Sequence, residues 1–379
     1  MSAFEVDGGR PLRGRLRVPG DKSISHRALL LGARAEGTSR VRGLSTGDDV
    51  FRTRDAVLAL GALVEGERIT GGVGRLHAAE RPIDVGNSGT GMRLLAGFCA
   101  ALPGRTVLQG DASVSSRPMD RIAEPLRRMG AGVDAGYPPL VIDGGGLRGI
   151  DYTVPMASAQ VKGCVLLAAL GAEGDTVVRE HTPTRAHTEE MLAMCGADIQ
   201  VDGLVIRLRP SPLEPFELDV PGDPSQAAFW VVAACITPGS ELVVGNVCLG
   251  AARAGFVEVL RRMGADVSVD GDALVARSSQ LHGTDVAAHE IPSLDEVPVL
   301  AVAAAVAEGT TTFHDAGELR IKESDRIATV VSELTALGVR AVGEGDTLVV
   351  HGGGLRAGTV RSHGDHRIAM AMAVAGLSV

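Results

Sequence analysis

A repeat constrains the fold of this chain more than any other feature. One phrase, an apolar run ending in Gly-Ala or Gly-Val before a short alternating stretch, occurs five times. The copies are Leu60-Gly61-Ala62, Met129-Gly130-Ala131, Cys195-Gly196-Ala197, Met263-Gly264-Ala265 and Leu337-Gly338-Val339. Recurrence at roughly 70 residues marks one structural unit used several times. Gly at the end of such a run fits a left-handed helix C-cap that leads into a strand. A second phrase recurs out of step with the first: a polar or charged start, then small apolar residues. Its copies begin near Arg27, Arg93, Gln160, Gln226, Glu296 and Arg367. Runs such as Val297 to Ala307 and Ala369 to Leu377 are apolar nearly all round, the pattern of a buried helix.

The chain therefore reads as about six copies of one α/β unit. Each has a buried helix, a strand, a more amphipathic helix such as Asp120 to Met129 or Gly255 to Met263, and then further strands. Val201 to Leu208 and Ala273 to Ala276 alternate as strands do. With 50 glycines and only 3% aromatic residues, tight turns and aliphatic cores are expected. The pattern predicts pseudo-symmetric α/β units and not one doubly wound sheet. No Gly-x-Gly-x-x-Gly follows a strand, so a dinucleotide site has no support. The sixth copy has its helix from Arg367, and then the sequence stops at Val379. Either the first strand, Leu12 to Val18, closes that unit, or further C-terminal sequence belongs to it, or both.

A net charge of -9 gives no support to nucleic-acid or membrane-surface binding. Any anion site must be a local basic cluster. The start Met1 to Glu5 lacks a signal-peptide pattern, and no apolar run is long enough to span a bilayer. Five cysteines without Cys-x-x-Cys spacing read as reduced core residues of a cytosolic protein.

Basic residues gather at the polar helix starts. The first is Pro19-Gly20-Asp21-Lys22-Ser23-Ile24-Ser25-His26-Arg27, where cations oppose the helix dipole unless an anion sits on the N-terminus. The second, Gly86-Asn87-Ser88-Gly89-Thr90-Gly91-Met92-Arg93, has glycines that let a backbone approach an anion. Ala157-Ser158-Ala159-Gln160-Val161-Lys162 and His363-Gly364-Asp365-His366-Arg367 are two more. Lys22/His26, Arg117/Arg121 and Lys322/Arg326 share i,i+4 spacing, which on a helix places like charges together. They point either to one anionic ligand or to surface ion-pair networks. In Ser293-Leu294-Asp295-Glu296-Val297-Pro298, two carboxylates stand before an apolar helix, as a cap or as a general base. His363-x-x-His366 with Asp365 is weak evidence for a metal, and no metal is expected.

These motifs, in order along almost the whole chain, resemble the enolpyruvyl transferase family, in its branch acting on shikimate 3-phosphate. The set includes Gly110-Asp111-Ala112-Ser113 with Arg117-Pro118-Met119, Pro221-Gly222-Asp223, and Leu319 to Arg326 with Asp365-His366-Arg367. The resemblance implies a two-domain inverse α/β barrel of six βαβαββ-type units, the last incomplete. Its domains would be 20–222, and 1–19 with 223–379, with the active site in the cleft between them. The implied reaction moves the carboxyvinyl group of phosphoenolpyruvate to the 5-hydroxyl of shikimate 3-phosphate and releases phosphate through a tetrahedral intermediate. No cofactor is implied.

By the same resemblance Asp295 accepts the hydroxyl proton, and Glu323 with Lys22 handles the proton at the methylene carbon. Lys22, Gly89, Arg117 and Gln160 hold the phosphoenolpyruvate phosphate, and Arg326 and Arg367 its carboxylate. Ser23, Arg27, Ser158, Gln160, Arg185 and Lys322 hold shikimate 3-phosphate. Asn87, Thr90 and Arg93 shape the loop at Gly89. A cytoplasmic monomer inhibited by glyphosate is implied, with no nucleic-acid or membrane partner. Three departures stand out. The family extends past this C-terminus with a phosphate-contacting lysine. Ala186 stands where many relatives carry Asp, and Gly250-Ala251-Ala252-Arg253 replaces Asn-Pro-Thr-Arg. The alternative is a truncated or diverged, catalytically weak relative that only binds phosphorylated anions.

Overall fold

The computed structural model describes residues 3–134, 136–250, 253–291 and 293–379. The chain forms two compact units, Gly20–Val220, and Met1–Pro19 with Pro221–Val379. The second crossing thus falls at Val220, two residues before the expected boundary. Ala251 and Ala252, in one of the departures noted above, lie outside the described residues.

Among the described residues, five four-stranded sheets share one order. In the second repeat, Ile83–Asp84 lies parallel to Gly104–Gln109, which pairs antiparallel with Leu140–Gly144, and that with Gly132–Asp134. A parallel pair needs a crossover, and the helix Gly89–Ala100 supplies it. The same pattern returns with Asp151–Thr153 and Thr176–Arg179, and with Asp285–Ala287 and Thr310–His314. In Gly20–Val220 the leading strand of the first sheet is Glu217–Asp219, from the far end of the unit, with Leu218 opposite Val41. In the other unit Arg13–Arg17 takes this place and runs parallel to Glu241–Gly245. The N-terminal strand therefore does not close the last repeat. It joins the fourth, where Val18 enters the same core as Val244.

The six apolar helices are Lys22–Arg34, Gly89–Ala100, Ala159–Ala169, Pro224–Ile236, Val297–Val306 and His366–Gly376. Five start on a side-chain cap: Asp21 accepts from Ile24 N, Ser88 from Gly91 N, Ser158 from Val161 N, Asp223 from Ser225 N and Asp365 from Arg367 N. The caps set the starts, so the first two helices begin a turn before the Arg27 and Arg93 taken from the apolar pattern. All five repeat glycines have left-handed φ, between 73° and 107°. No helix among the described residues is long and apolar enough to cross a membrane.

Within Gly20–Val220, the Gly89–Ala100 helix packs on both Lys22–Arg34 and Ala159–Ala169. A Cβ at Gly97 would stand 2.0 Å from the Cys164 carbonyl oxygen, so this contact between buried helices admits no side chain. Gly97→Ala gains up to about 1 kcal/mol of helix propensity but must push a close-packed pair of helices apart. The expected net result is a loss of about 1–3 kcal/mol, read as a lower urea midpoint at unchanged slope. An unchanged midpoint would show that the helices can separate freely.

Candidate active site

In Gly20–Val220 the polar starts of the three buried helices are tied into one network. Lys22, on the first turn, bonds Asp49 Oδ2 at 2.9 Å. Arg27 is buried; its Nε donates to Thr188 Oγ1 at 2.7 Å and its Nη1 to the Ser23 carbonyl at 3.0 Å. Its Nη2 reaches the Ala159 carbonyl, beside the Ser158 cap, at 3.4 Å. Arg185 Nη1 donates to Ser23 Oγ at 3.4 Å. Arg93 donates to Gln160 Oε1, and Gln160 Nε2 donates to Thr90 Oγ1 at 2.9 Å. Arg117 Nη2 donates to Asn87 Oδ1 at 2.6 Å and to Ser113 Oγ at 3.0 Å. A Cβ on Gly89 would lie 2.9 Å from Arg117 Nη1, so a larger residue there would make that guanidinium shift off the helix start.

Two sequence expectations change here. His26 is fully buried against Thr53 Oγ1, and burial pushes its pKa down to about 3. It is neutral at physiological pH and adds no positive charge beside Lys22. Lys162, in the third basic start, is held by Glu180 at 2.8 Å and Glu189 at 2.6 Å with only 1% of its side chain exposed. It neutralises a buried acidic pair. The spacing argument also fails for two of its three pairs. Arg117 precedes the Asp120–Met129 helix and Lys322 precedes Arg326–Ala336, so neither shares a helix with its i,i+4 mate.

In the other unit the polar starts converge on Arg326. Its guanidinium is 1% exposed and meets three carboxylates: Asp295 Oδ1 at 2.7 Å, Glu323 Oε2 at 2.6 Å and Asp365 Oδ2 at 2.8 Å. Burial alone would lower the Arg326 pKa, but these carboxylates outweigh it and hold it above the ordinary value. Asp365 is wholly buried and also caps the last helix at Arg367 N. Burial opposes its ionisation, yet the Arg326 bond keeps its pKa low. Arg367 donates to the Ser225 carbonyl at 3.2 Å, lies 3.7 Å from Asp295 Oδ2 and stacks over Phe229. Lys322 is partly buried; desolvation lowers its pKa, opposed by Asp295 and Glu318. His363 Nε2 hydrogen-bonds Glu333 at 2.7 Å. Among the described residues no group of His, Cys, Asp and Glu is arranged to hold a metal ion.

Each unit thus gathers its own share of the residues singled out by sequence. One holds Lys22, Ser23, Arg27, Gly89, Arg117, Ser158, Gln160 and Arg185, rich in cationic and neutral hydrogen-bond donors. The other holds Asp295, Lys322, Glu323, Arg326 and Arg367, with two carboxylates on one buried arginine. The sequence reading missed Asp49 as the Lys22 partner, although it opens an acidic helix turn. It also missed Ser225, whose carbonyl seats Arg367.

This repeated unit, with polar residues at its helix starts, is the architecture seen in enolpyruvyl transferases. A Streptomyces tendae enolpyruvyl transferase, NikO, shares the fold at a TM-score of 0.77 and 20% identity, covering 99% of this chain and 90% of that one. The family profile for EPSP synthase (3-phosphoshikimate 1-carboxyvinyltransferase) matches residues 6–379. A Roseiflexus castenholzii 3-phosphoshikimate 1-carboxyvinyltransferase is 49% identical over 97% of this chain and 91% of its own length. The Nitrosococcus oceani protein of the same name is 46% identical over 99% and 89%. The EPSP synthase of Acinetobacter baumannii superposes with a TM-score of 0.86 at 41% identity, covering 98% and 91%. This chain belongs to the EPSP synthase family, and its fold is the two-domain inverse α/β barrel of the enolpyruvyl transferases.

Asp365 joins Arg326 to the helix that carries Arg367, so removing its charge leaves a buried cation short of a partner. Asp365→Asn should lower unfolding free energy by about 3–5 kcal/mol, measured by urea denaturation. A loss below about 1 kcal/mol would mean that Asp295 and Glu323 suffice to hold Arg326.

Proposed function

We propose that this chain transfers the carboxyvinyl group of phosphoenolpyruvate to the 5-hydroxyl of shikimate 3-phosphate and releases phosphate. Membership of the EPSP synthase family supports the reaction. The observation that carries its mechanism is Arg326, held at once by Asp295 and Glu323. In addition, the hydroxyl oxygen bonds to C2 of phosphoenolpyruvate, the hydroxyl proton leaves to a base, and an acid protonates C3. In elimination the C2–O bond to phosphate breaks and C3 returns a proton. The two steps need a proton acceptor at the hydroxyl and a proton carrier at C3.

Asp295 serves the hydroxyl and Glu323, with Lys22, serves C3. Arg326 and Arg367 bind the phosphoenolpyruvate carboxylate, where planar guanidinium suits planar carboxylate. That carboxylate competes with Asp295 and Glu323 for the same Arg326 nitrogens. Binding of the substrate therefore frees both carboxylates for proton transfer. Lys22, Gly89, Arg117 and Gln160 bind its phosphate. Ser23, Arg27, Ser158, Gln160, Arg185 and Lys322 bind shikimate 3-phosphate. The same reading makes the protein a cytoplasmic monomer with glyphosate as a competitor of phosphoenolpyruvate. The relatives lend no support to a protein that merely binds phosphorylated anions.

The test is phosphate release from phosphoenolpyruvate with and without shikimate 3-phosphate. Release should require both substrates and fall by about 10²–10⁴-fold in Asp295→Ala. Release without the acceptor, or an undiminished Asp295→Ala rate, would overturn the assignment.

A further inference from the structure

Next to Asp295 stands a second carboxylate that the mechanism above does not use. Glu296 is wholly buried. It ends the short turn Leu294–Glu296 and precedes the apolar helix Val297–Val306. Its Oε1 accepts from Ser225 Oγ, while its Oε2 is buried with no hydrogen-bond partner among the described residues. The carbonyl of the same Ser225 accepts from Arg367 Nη1. Ser225 N in turn donates to Asp223, which also holds Arg253. Ser225 thus links Glu296 on one side to Arg367 on the other.

The charges around Glu296 come from every neighbouring element. Asp223 caps the Pro224–Ile236 helix, Arg253 precedes the next helix, Asp295 shares the turn, and Arg367 lies on the last helix. The turn Gly317–Ile321 packs on Leu294–Glu296 and carries Glu318 and Arg320, of which Arg320 is taken up by Asp325 and the Gly345 carbonyl; Lys322 lies just beyond it. Asp223 and Arg253 neutralise each other at 3.2 Å. An ionised Glu296 would then be an extra negative charge beside Arg367.

We infer that Glu296 is a positioning residue for Arg367: through Ser225 it seats the guanidinium, and by holding a proton it leaves that charge to an incoming carboxylate. The inference rests on assigning Arg367 to the phosphoenolpyruvate carboxylate. Burial pushes the Glu296 pKa up to about 7; Arg253 and the Ser225 bond lower it, and Asp295 raises it. The proton is held below neutrality and released as pH rises through about 7. A carboxylate bound on Arg367 cancels the positive charge that favours ionisation, so substrate and proton bind together. Linkage then requires that phosphoenolpyruvate affinity fall as Glu296 ionises.

The experiment measures the KM for each substrate between pH 6 and pH 8.5 in the full chain and in Glu296→Gln. Gln keeps an acceptor for Ser225 and cannot ionise. The wild-type to Glu296→Gln ratio of phosphoenolpyruvate KM should rise severalfold across pH 7, with no matching change for shikimate 3-phosphate. The substrate's own phosphate ionisation is common to both enzymes and cancels in the ratio. Ser225→Ala, which removes the hydroxyl but not the carbonyl, should raise the phosphoenolpyruvate KM with a smaller change in kcat.

Stability gives an independent readout. In the folded chain Glu296 keeps its proton to about 7, whereas the ordinary value is 4.5. Its contribution is therefore present below pH 4.5 and lost as pH rises to about 7, and Glu296→Gln should remove that slope. A pH-independent KM ratio, or an equal effect on both substrates, overturns the inference. Wild-type enzyme that released no phosphate would instead overturn the assigned reaction, a separate outcome.

Discussion

A helix that is apolar on every side can do chemistry only at its ends. That constraint organises this protein. Six buried, mostly apolar helices come close to that description, and their caps are Asp or Ser in all but one case. The N-terminal end of a helix carries free N–H groups and positive potential. Lys22, Gly89, Ser158 and Arg367 are placed at such ends, so the architecture gathers donors and positive potential around them. The fifth helix is the exception, and it is the one preceded by Asp295 and Glu296.

The two units deal with charge differently. At the helix starts of Gly20–Val220, Arg27, Arg93, Arg117 and Arg185 donate to Ser23, Asn87, Ser113, Thr188, Gln160 and carbonyl oxygens, while Lys22 and Lys162 meet carboxylates. Neutral acceptors orient a guanidinium without cancelling its charge. In the other unit Arg326 is cancelled more than once over by its carboxylates. This second unit holds its anions internally, three carboxylates on one guanidinium.

Much of this was legible in the sequence, because the repeat is written in residues with strict backbone demands. The five glycines needed a left-handed conformation and have it. The apolar runs gave the buried helices, and their caps could be named once the starts were seen. Pairings between distant side chains were not legible. Lys162 looked like one more cation at a helix start, but Glu180 and Glu189 come from a later strand end and helix. His26 looked like a charge because nothing local shows that Thr53 will bury it. Spacing alone placed Arg117 with Arg121 and Lys322 with Arg326, yet a helix boundary falls inside each pair. The partner strand of Arg13–Arg17 is more than 200 residues away, and no local pattern specifies such a distance.

That last pairing has a consequence for how the chain assembles. Pro19 O accepts from Asp223 N at 2.9 Å, so the polypeptide leaves one unit and returns to it at the same spot. Gly20 and Val220, the ends of the intervening segment, are themselves in contact, with a Cβ at Gly20 only 3.0 Å from Val220 Cγ1. Topologically the whole of Gly20–Val220 is a loop inserted between two neighbouring residues of the other unit. An open loop of that length must be closed against its own entropy before Arg13–Arg17 can meet Glu241–Gly245. Once Gly20–Val220 has folded, its ends are already together and the closure is done. The strand pairing that completes one unit then behaves as a short-range event, despite its separation in sequence.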